Sequence, residues 1–296
     1  MIATISSAQE KKTFTLNDVI PGGDNYFNLV PKSMPGLQWW GDICVRTDIE
    51  NIKKIDTKSG KESILVTLEE VNEALKNGKM PYKLTGHIKP LRTLMAASLP
   101  WGDRNVITFT QYDDRTPGQK YMIWYDFSKK KIVNLFNLQG EGPTNFDFCK
   151  ENGYMAYTIG NDLYVAHEGD FSSMVNPKVT GNQQQEKDVV YGQAVHRNEF
   201  GIMKGTFWSP KGTYLAFYRM DQSMVTDYPQ VNTTARIAEL VPDKYPMAGM
   251  TSHKVTVGIY NVKDGKTIYL QAGDPTDRYF TNISWGPDEK SVFVID

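Results

Sequence analysis

The sequence predicts an all-β fold, a β-propeller built from four-stranded blades, and three observations support this prediction. A Trp or Phe recurs before a turn with Gly, Pro or Asp and an apolar, β-rich run. The clearest copies begin at Trp208 and Trp285, and looser copies begin at Trp101 and Phe146. Aromatic residues make up 12% of the 296 residues, which favours strands. Turns recur about every ten residues, and such a repeat is typical of successive propeller blades.

Residues 1–24 are predicted to form an N-terminal extension. Residues 1–9 are small and apolar, and they resemble either the remnant of an export signal or an ordinary frayed terminus. Residues 13–20 predict a short helix that is capped by Thr15 or Asn17 and ended by the Pro-Gly-Gly sequence at 21–23. Residues 25–296 are assigned to the N-terminal part of the propeller domain.

The strands of the first three blades are predicted from apolar runs that are bounded by turn residues. They are 37–46, 51–56 and 63–67, then 93–98, 106–111, 121–126 and 131–136, and then 145–148, 154–159, 162–166 and 175–179. A short helical or irregular piece at 71–77 separates the first blade from the second.

Two stretches of extra chain then interrupt the repeat, at 181–205 and 221–252. A four-stranded blade needs about 40–50 residues, so the surplus is expected on loops at one face. Pro229, Pro242 and Pro246 predict that the second insertion lacks regular structure. The chain ends in a strand, 292–296, without a closing hairpin. We therefore expect an incomplete propeller of about five blades within a longer polypeptide.

The composition excludes several classes of function. There are 33 basic and 34 acidic residues, and this balance provides no overall field for nucleic acid or an anionic membrane. No apolar stretch is long enough to span a bilayer. Cys44 and Cys149 are too few for a disulfide framework or a four-thiolate zinc site, which leaves two free thiols or a single disulfide.

Motifs for catalysis and for cofactor binding are absent from the sequence. There is no Gly-x-Ser-x-Gly elbow, no metal-binding His pattern and no Gly-rich phosphate loop, so no catalytic residue, metal or cofactor is predicted. The four histidines lack metal-ligand spacing and are interpreted as surface or hydrogen-bonded structural residues: His87, His167, His196 and His253. Asp113 and Asp114 are consecutive, and on a strand they would point to opposite faces as solvated positions.

The segment 191–202 carries the clearest functional signal. It places Tyr, His, Arg, Asn and Glu where a propeller blade does not need them. Val195 and Phe200 are predicted to anchor a short helix from which Glu199 projects. A carboxylate at a propeller face could capture a positive group of a ligand through a charge-assisted hydrogen bond. The alternative is an ordinary solvated loop charge.

Several stretches resemble one known family. They are 205–221 (GTFWSPKGTYLAFYRMD), 245–249, 255–257, 161–165 and 13–18, which occur in the same order across nearly the whole chain. They resemble the N-terminal β-propeller of the dipeptidyl peptidase IV branch of the prolyl oligopeptidase family. The segment 191–202 is most similar to the bacterial prolyl tripeptidyl aminopeptidases of that branch.

The resemblance implies a larger enzyme. The family joins an eight-bladed propeller to a C-terminal α/β-hydrolase domain that supplies Ser, Asp and His, and it removes short N-terminal peptides after proline. The implied substrate is a peptide with a free N-terminus and a proline near it. The implied location is the periplasm or the exterior, and a homodimer is compatible with the resemblance. No cofactor is implied.

Two residues of this chain match binding residues of the family. Glu199 matches the acidic position that holds the substrate's α-amine. Dipeptidyl peptidase IV carries two adjacent Glu residues there, and the single Glu favours the tripeptide-releasing relatives. Arg115 matches an Arg placed near the substrate backbone, and its alternative is a turn residue paired with Asp113 or Asp114. The alternative to the whole assignment is a non-enzymatic propeller that binds a protein or peptide.

Overall fold

The computed structural model describes residues 13–31, 35–80, 83–138, 142–167, 178–180 and 186–296. The segment 1–9 and the first part of the predicted strand 175–179 lie outside the described residues. Within the described part, strands dominate and form antiparallel sheets that follow one another along the chain. The all-β prediction is therefore confirmed.

Two short helices precede the sheets, α1 at Leu16–Val19 and α2 at Tyr26–Leu29. The backbone N–H and the hydroxyl of Thr15 both donate to the Asp18 carboxylate, each at 2.8 Å. Asn25 donates its side-chain amide to the same carboxylate at 3.0 Å. The predicted cap at Thr15 is thus where α1 begins, and Asp18 ties α1 to the start of α2.

The first sheet is a meander of four strands in sequence order. The strands are β1 at Leu37–Trp40, β2 at Ile43–Thr47, β3 at Asn51–Ile55 and β4 at Glu62–Thr67. The single strand predicted over 37–46 is wrong, because Gly41 has a left-handed φ of 54° and turns the chain into a β1–β2 hairpin. The third helix, α3 at Leu68–Asn77, follows directly and is capped by the Thr67 hydroxyl.

The second sheet has three strands, β5 at Val106–Tyr112, β6 at Lys120–Asp126 and β7 at Lys131–Asn137. The strand predicted over 93–98 is replaced by a 3₁₀ turn at Leu94–Ala96 and an isolated bridge between Ser98 and Thr108. The Thr93 hydroxyl accepts a hydrogen bond from the backbone N–H of Met95. This local bond favours the turn over an extended ladder.

The third sheet regains four strands. They are β8 at Thr144–Phe148, β9 at Tyr154–Ile159, β10 at Asp162–His167 and β11 at Lys178–Thr180. The fourth sheet starts with β12 at Val189–Tyr191, β13 at Thr206–Trp208 and β14 at Tyr214–Asp221. Both β12 and β13 pair with the same edge of β14, so an insertion divides the first strand of this sheet.

The second insertion forms a two-stranded arm rather than irregular structure. Its ladders pair β15 at Asp227–Tyr228 with β18 at Asp243–Lys244, and β16 at Val231–Asn232 with β17 at Glu239–Leu240. Both ladders share one register, and in that register Pro229 lies opposite Pro242. Since neither proline has an N–H, the ladder is interrupted there and resumes on each side.

The fourth sheet is completed by β19 at Lys254–Asn261 and β20 at Thr267–Tyr269. A further sheet begins with β21 at Thr281–Trp285 and β22 at Val292–Ile295. The successive sheets agree with the predicted series of blades.

The two clearest copies of the recurring Trp, Trp208 and Trp285, each join a blade to the one before it. The indole N–H of Trp208, in β13, donates to the Asp147 carbonyl in β8 at 2.9 Å. The indole N–H of Trp285, in β21, donates to the Phe207 carbonyl in β13 at 2.9 Å. The first strands of three successive sheets therefore lie side by side, and we call the edge that they form the inner edge. In a propeller this edge faces the central channel.

The turn that follows each Trp adds a second link between blades. The Glu289 carboxylate, in the turn after β21, accepts hydrogen bonds from the backbone N–H of Lys211 and the hydroxyl of Thr213, each at 2.7 Å. It also accepts a bond from the Ser209 hydroxyl. Asn152 donates from the third blade to the Gly212 carbonyl at 3.1 Å. The repeat in the sequence is thus the contact between neighbouring sheets.

Cys44 is half-buried and Cys149 is buried, and both are free thiols. Of the two alternatives for the cysteines, the structure therefore has the free thiols. None of the helices in the described part of the chain has the length and apolar character needed to cross a bilayer.

Candidate functional site

The loop that carries Glu199 leaves the fourth sheet between β12 and β13, at the inner edge. Its two ends meet at one residue of β14. The Gly192 N–H donates to the Tyr218 carbonyl at 2.9 Å, and the Tyr218 N–H donates to the Gly205 carbonyl at 3.0 Å. The insertion is therefore closed at its base, and we call residues 193–204 the anchor loop.

Glycine is required at the base of the anchor loop. A Cβ at Gly205 would lie 2.1 Å from the backbone oxygen of Gln193, which is far closer than any van der Waals contact. Gly192 has a left-handed φ of 68°. Gly205 lets the two backbone segments approach each other where the loop closes, and Gly192 supplies the left-handed turn beside it.

The middle of the anchor loop is not the helix that the sequence predicts. His196, Arg197, Asn198 and Phe200 all have left-handed φ values between 51° and 64°. Such values cost about 1–3 kcal/mol per residue outside glycine, and they persist only where surrounding contacts enforce them. The segment is thus a strained, irregular turn held by its neighbours.

Of the two residues predicted to anchor this loop, Val195 is confirmed and Phe200 is wrong. Val195 is buried, as expected, and packs in the same apolar cluster as Ile202, which is also buried. Phe200, the second predicted anchor, is instead 72% exposed. The left-handed turn over 196–200 puts Ile202 in the core and leaves Phe200 beside Glu199 at the surface.

Glu199 lies at the surface with its carboxylate within reach of one described donor. The Tyr279 hydroxyl donates to Glu199 Oε2 at 3.3 Å. The Phe200 ring contacts the Tyr279 ring edge-on, with ring centroids 4.9 Å apart. Burial and the nearby carboxylate raise the pKa of Tyr279, so the hydroxyl stays protonated and available as a donor. Most of the acceptor capacity of Glu199 remains open to solvent.

A pair of histidines lies behind this carboxylate. His196 Nδ1 and His253 Nε2 are 2.8 Å apart, so one imidazole donates its N–H to the other. Burial, reinforced by the neighbouring His253, lowers the pKa of His196 to about 4. Burial and the charge of Arg197 also lower the pKa of His253, although Glu199 opposes this shift. Both rings are therefore neutral near pH 7, and a neutral ring can supply the acceptor nitrogen that an N–H···N bond requires.

Arg197 fixes the other side of the turn to the arm. Its guanidinium donates to the Asp243 carboxylate at 2.8 Å and to the Lys244 carbonyl at 2.6 Å. It also lies over the Tyr245 ring, 4.8 Å from the centroid. A charge-assisted contact and a cation–π contact from one side chain hold the strained backbone next to Glu199.

Arg115 lies in the β5–β6 connection, on a different sheet from Glu199. Its guanidinium donates to both oxygens of Asp113, at 3.2 and 3.3 Å, and its backbone N–H donates to the same carboxylate at 2.7 Å. The bonds from Arg115 hold the pKa of Asp113 below its usual range, against the opposing effect of burial. Asp113 is buried, so its interpretation as a solvated carboxylate is wrong.

The structure therefore places the two candidate residues in separate surroundings. Within the described ranges, no hydrogen bond or ion pair connects Arg115 with Glu199, and the alternative of an Arg paired with Asp113 is the contact observed. The described part of the chain contains no group of three or more His, Cys, Asp or Glu residues that could hold a metal ion.

Sequence reasoning identified His253 as a surface or hydrogen-bonded structural histidine, but it missed the pairing of His253 with His196 and the contact of Tyr279 with Glu199. His253 is 57 residues from its partner His196, and Tyr279 is 80 residues from Glu199. Neither belongs to a motif, so no local signal marks them. The blade repeat is the one sequence signal that places Tyr279 near the anchor loop. Tyr279 shortly precedes β21, and β21 lies beside β13, the strand that follows the anchor loop.

Comparison with known proteins decides the family. The model of the dipeptidyl peptidase IV (DPP IV) N-terminal region matches residues 102–296, more than half of the chain. The chain belongs to this family. The resemblance that rests on the Trp208 repeat is thereby confirmed at the level of the DPP IV N-terminal region.

Solved structures agree with this assignment. A Bacteroides ovatus protein, provisionally named dipeptidyl aminopeptidase IV, is 46% identical with a TM-score of 0.68, over 96% of this chain and 36% of that one. Dipeptidyl peptidase 4 of Porphyromonas gingivalis is 20% identical with a TM-score of 0.59, over 96% of this chain and 38% of that one, and shows the fold alone.

Curated relatives are peptidases by name. A probable dipeptidyl-aminopeptidase B of Phaeosphaeria nodorum is 28% identical over 167 residues, which are 50% of this chain and 18% of the relative. The chain thus spans less than a fifth of that relative and little more than a third of the Bacteroides protein.

Proposed function

We propose that this chain is the propeller portion of a prolyl-specific serine exopeptidase, and that Glu199 holds the free α-amine of the substrate. The position of Glu199 is the observation that supports this proposal. It projects from a loop that leaves the inner edge of the fourth sheet, and its backbone is fixed by contacts on both sides. In the complete polypeptide a C-terminal α/β-hydrolase domain supplies the Ser, Asp and His.

The division of labour has a physical reason. An exopeptidase must measure a fixed distance from the chain terminus. A carboxylate that captures the α-amine fixes one end of the substrate, and the nucleophile at the other end then meets a defined peptide bond. A strained and clamped turn suits this task because it prevents the carboxylate from moving by the width of a residue.

The surroundings of Glu199 fit the end of a peptide. A pocket next to it on the chain has a mixed lining, with apolar side chains that include Phe200, Phe207 and Ile283 and the polar side chains of Lys204 and Asn282. A side chain of the substrate's first residues could be accommodated there while the amine meets the carboxylate. Arg115 is proposed as a contact to the substrate backbone. For that role, the Arg115 guanidinium must donate to the substrate backbone as well as to the Asp113 carboxylate that it contacts in this structure.

The test is a charge-removing change in the complete polypeptide. Glu199→Gln keeps the shape and removes the negative charge, and we expect kcat/KM for free-amine peptides to fall at least about tenfold, because a hydrogen bond to a charged group contributes about 1.5–3 kcal/mol. Glu239→Gln, an exposed position on the arm, is the matched control and should leave kcat/KM unchanged. Equal activity of the Glu199 variant and the control would exclude the anchor role.

A panel of Xaa-Pro and Xaa-Xaa-Pro substrates identifies the peptide released. The relatives are named for dipeptide release, whereas the single Glu199 favours tripeptides. If the complete polypeptide binds these peptides but releases neither dipeptides nor tripeptides from them, the alternative of a non-enzymatic binding module is favoured. We further propose export to the periplasm or the exterior, which cell fractionation tests.

A further inference from the structure

The environment of Tyr279 points to a role in the amine site. Its hydroxyl is the described donor nearest to the Glu199 carboxylate, at 3.3 Å. The residue comes from the segment that leads into β21, whereas Glu199 comes from the loop between β12 and β13. The contact therefore crosses from one blade to the next, and it fixes the carboxylate relative to both.

The Tyr279 ring is itself held between side chains of the anchor loop. The His196 ring packs against it in a tilted arrangement, with centroids 4.0 Å apart and planes 31° apart. The Phe200 ring contacts it edge-on at 4.9 Å. Two residues that flank Glu199 in the sequence thus determine where the Tyr279 hydroxyl points.

The His196 ring is fixed in turn by His253. The two rings share an N–H···N bond of 2.8 Å, and His253 immediately precedes β19 in the centre of the fourth sheet. The groups that face the pair are Arg197, Glu199 and Tyr279. A chain of contacts therefore runs from the sheet through two neutral imidazoles to the tyrosine and then to the carboxylate.

From this geometry we propose that Tyr279 is a positioning residue for amine capture: it orients the Glu199 carboxylate and leaves the other oxygen, Oε1, for the substrate's ammonium group. The proposal rests on the function proposed above. It adds that affinity for the amine depends on a hydroxyl from the neighbouring blade, and not on Glu199 alone.

The chemistry supports this division between the two oxygens. A hydroxyl that donates to one carboxylate oxygen restricts rotation of the carboxylate, because the other oxygen must then take up a defined direction. An ammonium has three donors and gains most from an acceptor that is already oriented. Loss of the hydroxyl leaves the charge in place but frees the carboxylate to rotate.

The experiment uses the complete polypeptide in five forms: wild type, Tyr279→Phe, Glu199→Gln, the double variant and a control variant, Tyr214→Phe. Tyr279→Phe keeps the ring contacts with His196 and Phe200 and removes only the hydroxyl. We expect kcat/KM for a free-amine peptide to fall about fivefold through KM, with kcat nearly unchanged, because the lost hydrogen bond acts on binding. The same peptide with its α-amine replaced by hydrogen should react equally with wild type and Tyr279→Phe.

The double variant separates positioning from general support. If Tyr279 acts through Glu199, Tyr279→Phe has no further effect in the Glu199→Gln background. Tyr214→Phe, a tyrosine stacked on Trp285, is the matched control and should change neither parameter. The inference is overturned if Tyr279→Phe lowers activity equally on the free-amine and the des-amino peptide, or if its effect is undiminished in the double variant.

Failure of this inference can be told from failure of the proposed function. If Glu199→Gln lowers kcat/KM but Tyr279→Phe matches wild type, Glu199 is the anchor and only the positioning role is wrong. If Glu199→Gln itself matches wild type, the anchor role fails, and the positioning role fails with it.

Discussion

Glu289 links the fourth blade to the next one, and we expect Glu289→Ala to reduce the protection of the neighbouring backbone amides from hydrogen exchange. Its carboxylate accepts hydrogen bonds from the Lys211 N–H and the Thr213 hydroxyl at 2.7 Å each, and from the Ser209 hydroxyl. Loss of a charged acceptor leaves these donors unpaired at a cost of about 1.5–3 kcal/mol. A loss of about 2 kcal/mol corresponds to roughly thirtyfold faster opening.

Hydrogen–deuterium exchange over residues 209–214 of the complete polypeptide measures this directly. We expect Glu289→Ala to accelerate exchange at the Lys211 amide about thirtyfold. Asp288→Ala is the matched control, because the exposed Asp288 carboxylate accepts only from the Lys290 N–H, at 3.1 Å, in the described structure. Similar exchange in the two variants would refute the reasoning that Glu289 joins the blades.

The same contact has a predicted pH dependence. Burial raises the pKa of Glu289, but the bonds from Ser209, Thr213 and Lys211 outweigh burial and lower the pKa overall. A carboxyl whose pKa is depressed by folding stabilises the fold above its unfolded pKa of about 4.3, and this stabilisation is lost as the pH falls through the folded pKa. The exchange difference between wild type and Glu289→Ala should therefore shrink below about pH 4.

Two further predictions concern the glycines and the cysteines. Gly205→Ala should lower the free energy of unfolding by about 2–3 kcal/mol, because its Cβ would meet the Gln193 backbone. Gly118→Ala, at a left-handed φ in open space, should cost only about 1–2 kcal/mol, and equal losses in denaturant titrations would contradict this. A thiol reagent should label the half-buried Cys44 before Cys149, whose pKa burial raises; mass spectrometry that finds Cys149 labelled first would contradict this.

The blade repeat was predictable because its signals are local. Each copy places a Trp and a turn within a few residues, and those same groups make the contacts between blades, as the bonds from Trp208 and Trp285 show. The position of each copy in the sequence therefore marks a contact in the structure. Strand ends were less predictable, since Gly41 makes a hairpin from what reads as one apolar run.

The arm shows why prolines misled the prediction. Pro229 and Pro242 argue against strands when they are read one at a time. In the structure they lie opposite each other in a continuous register, so the two missing N–H groups fall in one gap. The Val241 N–H still donates to the Gln230 carbonyl at 2.7 Å within that gap. Cross-strand placement, which a single sequence does not display, decides whether such prolines disrupt a hairpin.

The anchor loop could be located from the sequence, but its shape could not. Residues 191–202 depart from the repeat, and this departure is visible locally. The left-handed turn is not, because it is imposed by partners far along the chain: Asp243 is 46 residues from Arg197, and Tyr279 is 80 residues from Glu199. Propensity alone favours an ordinary helical turn, and tertiary contacts override it.

The energetic balance of this turn explains why so many contacts converge on it. Four non-glycine residues with left-handed φ cost at least about 4 kcal/mol together. The exposed bonds of Arg197 to the arm contribute about 0–1 kcal/mol, and burial of Val195 and Ile202 adds about 1.5–3 kcal/mol for each side chain. These contacts offset the strain with little to spare. Since both apolar anchors lie outside the strained residues, loss of the Arg197 clamp would release the turn around Glu199 while its two ends stayed in the core.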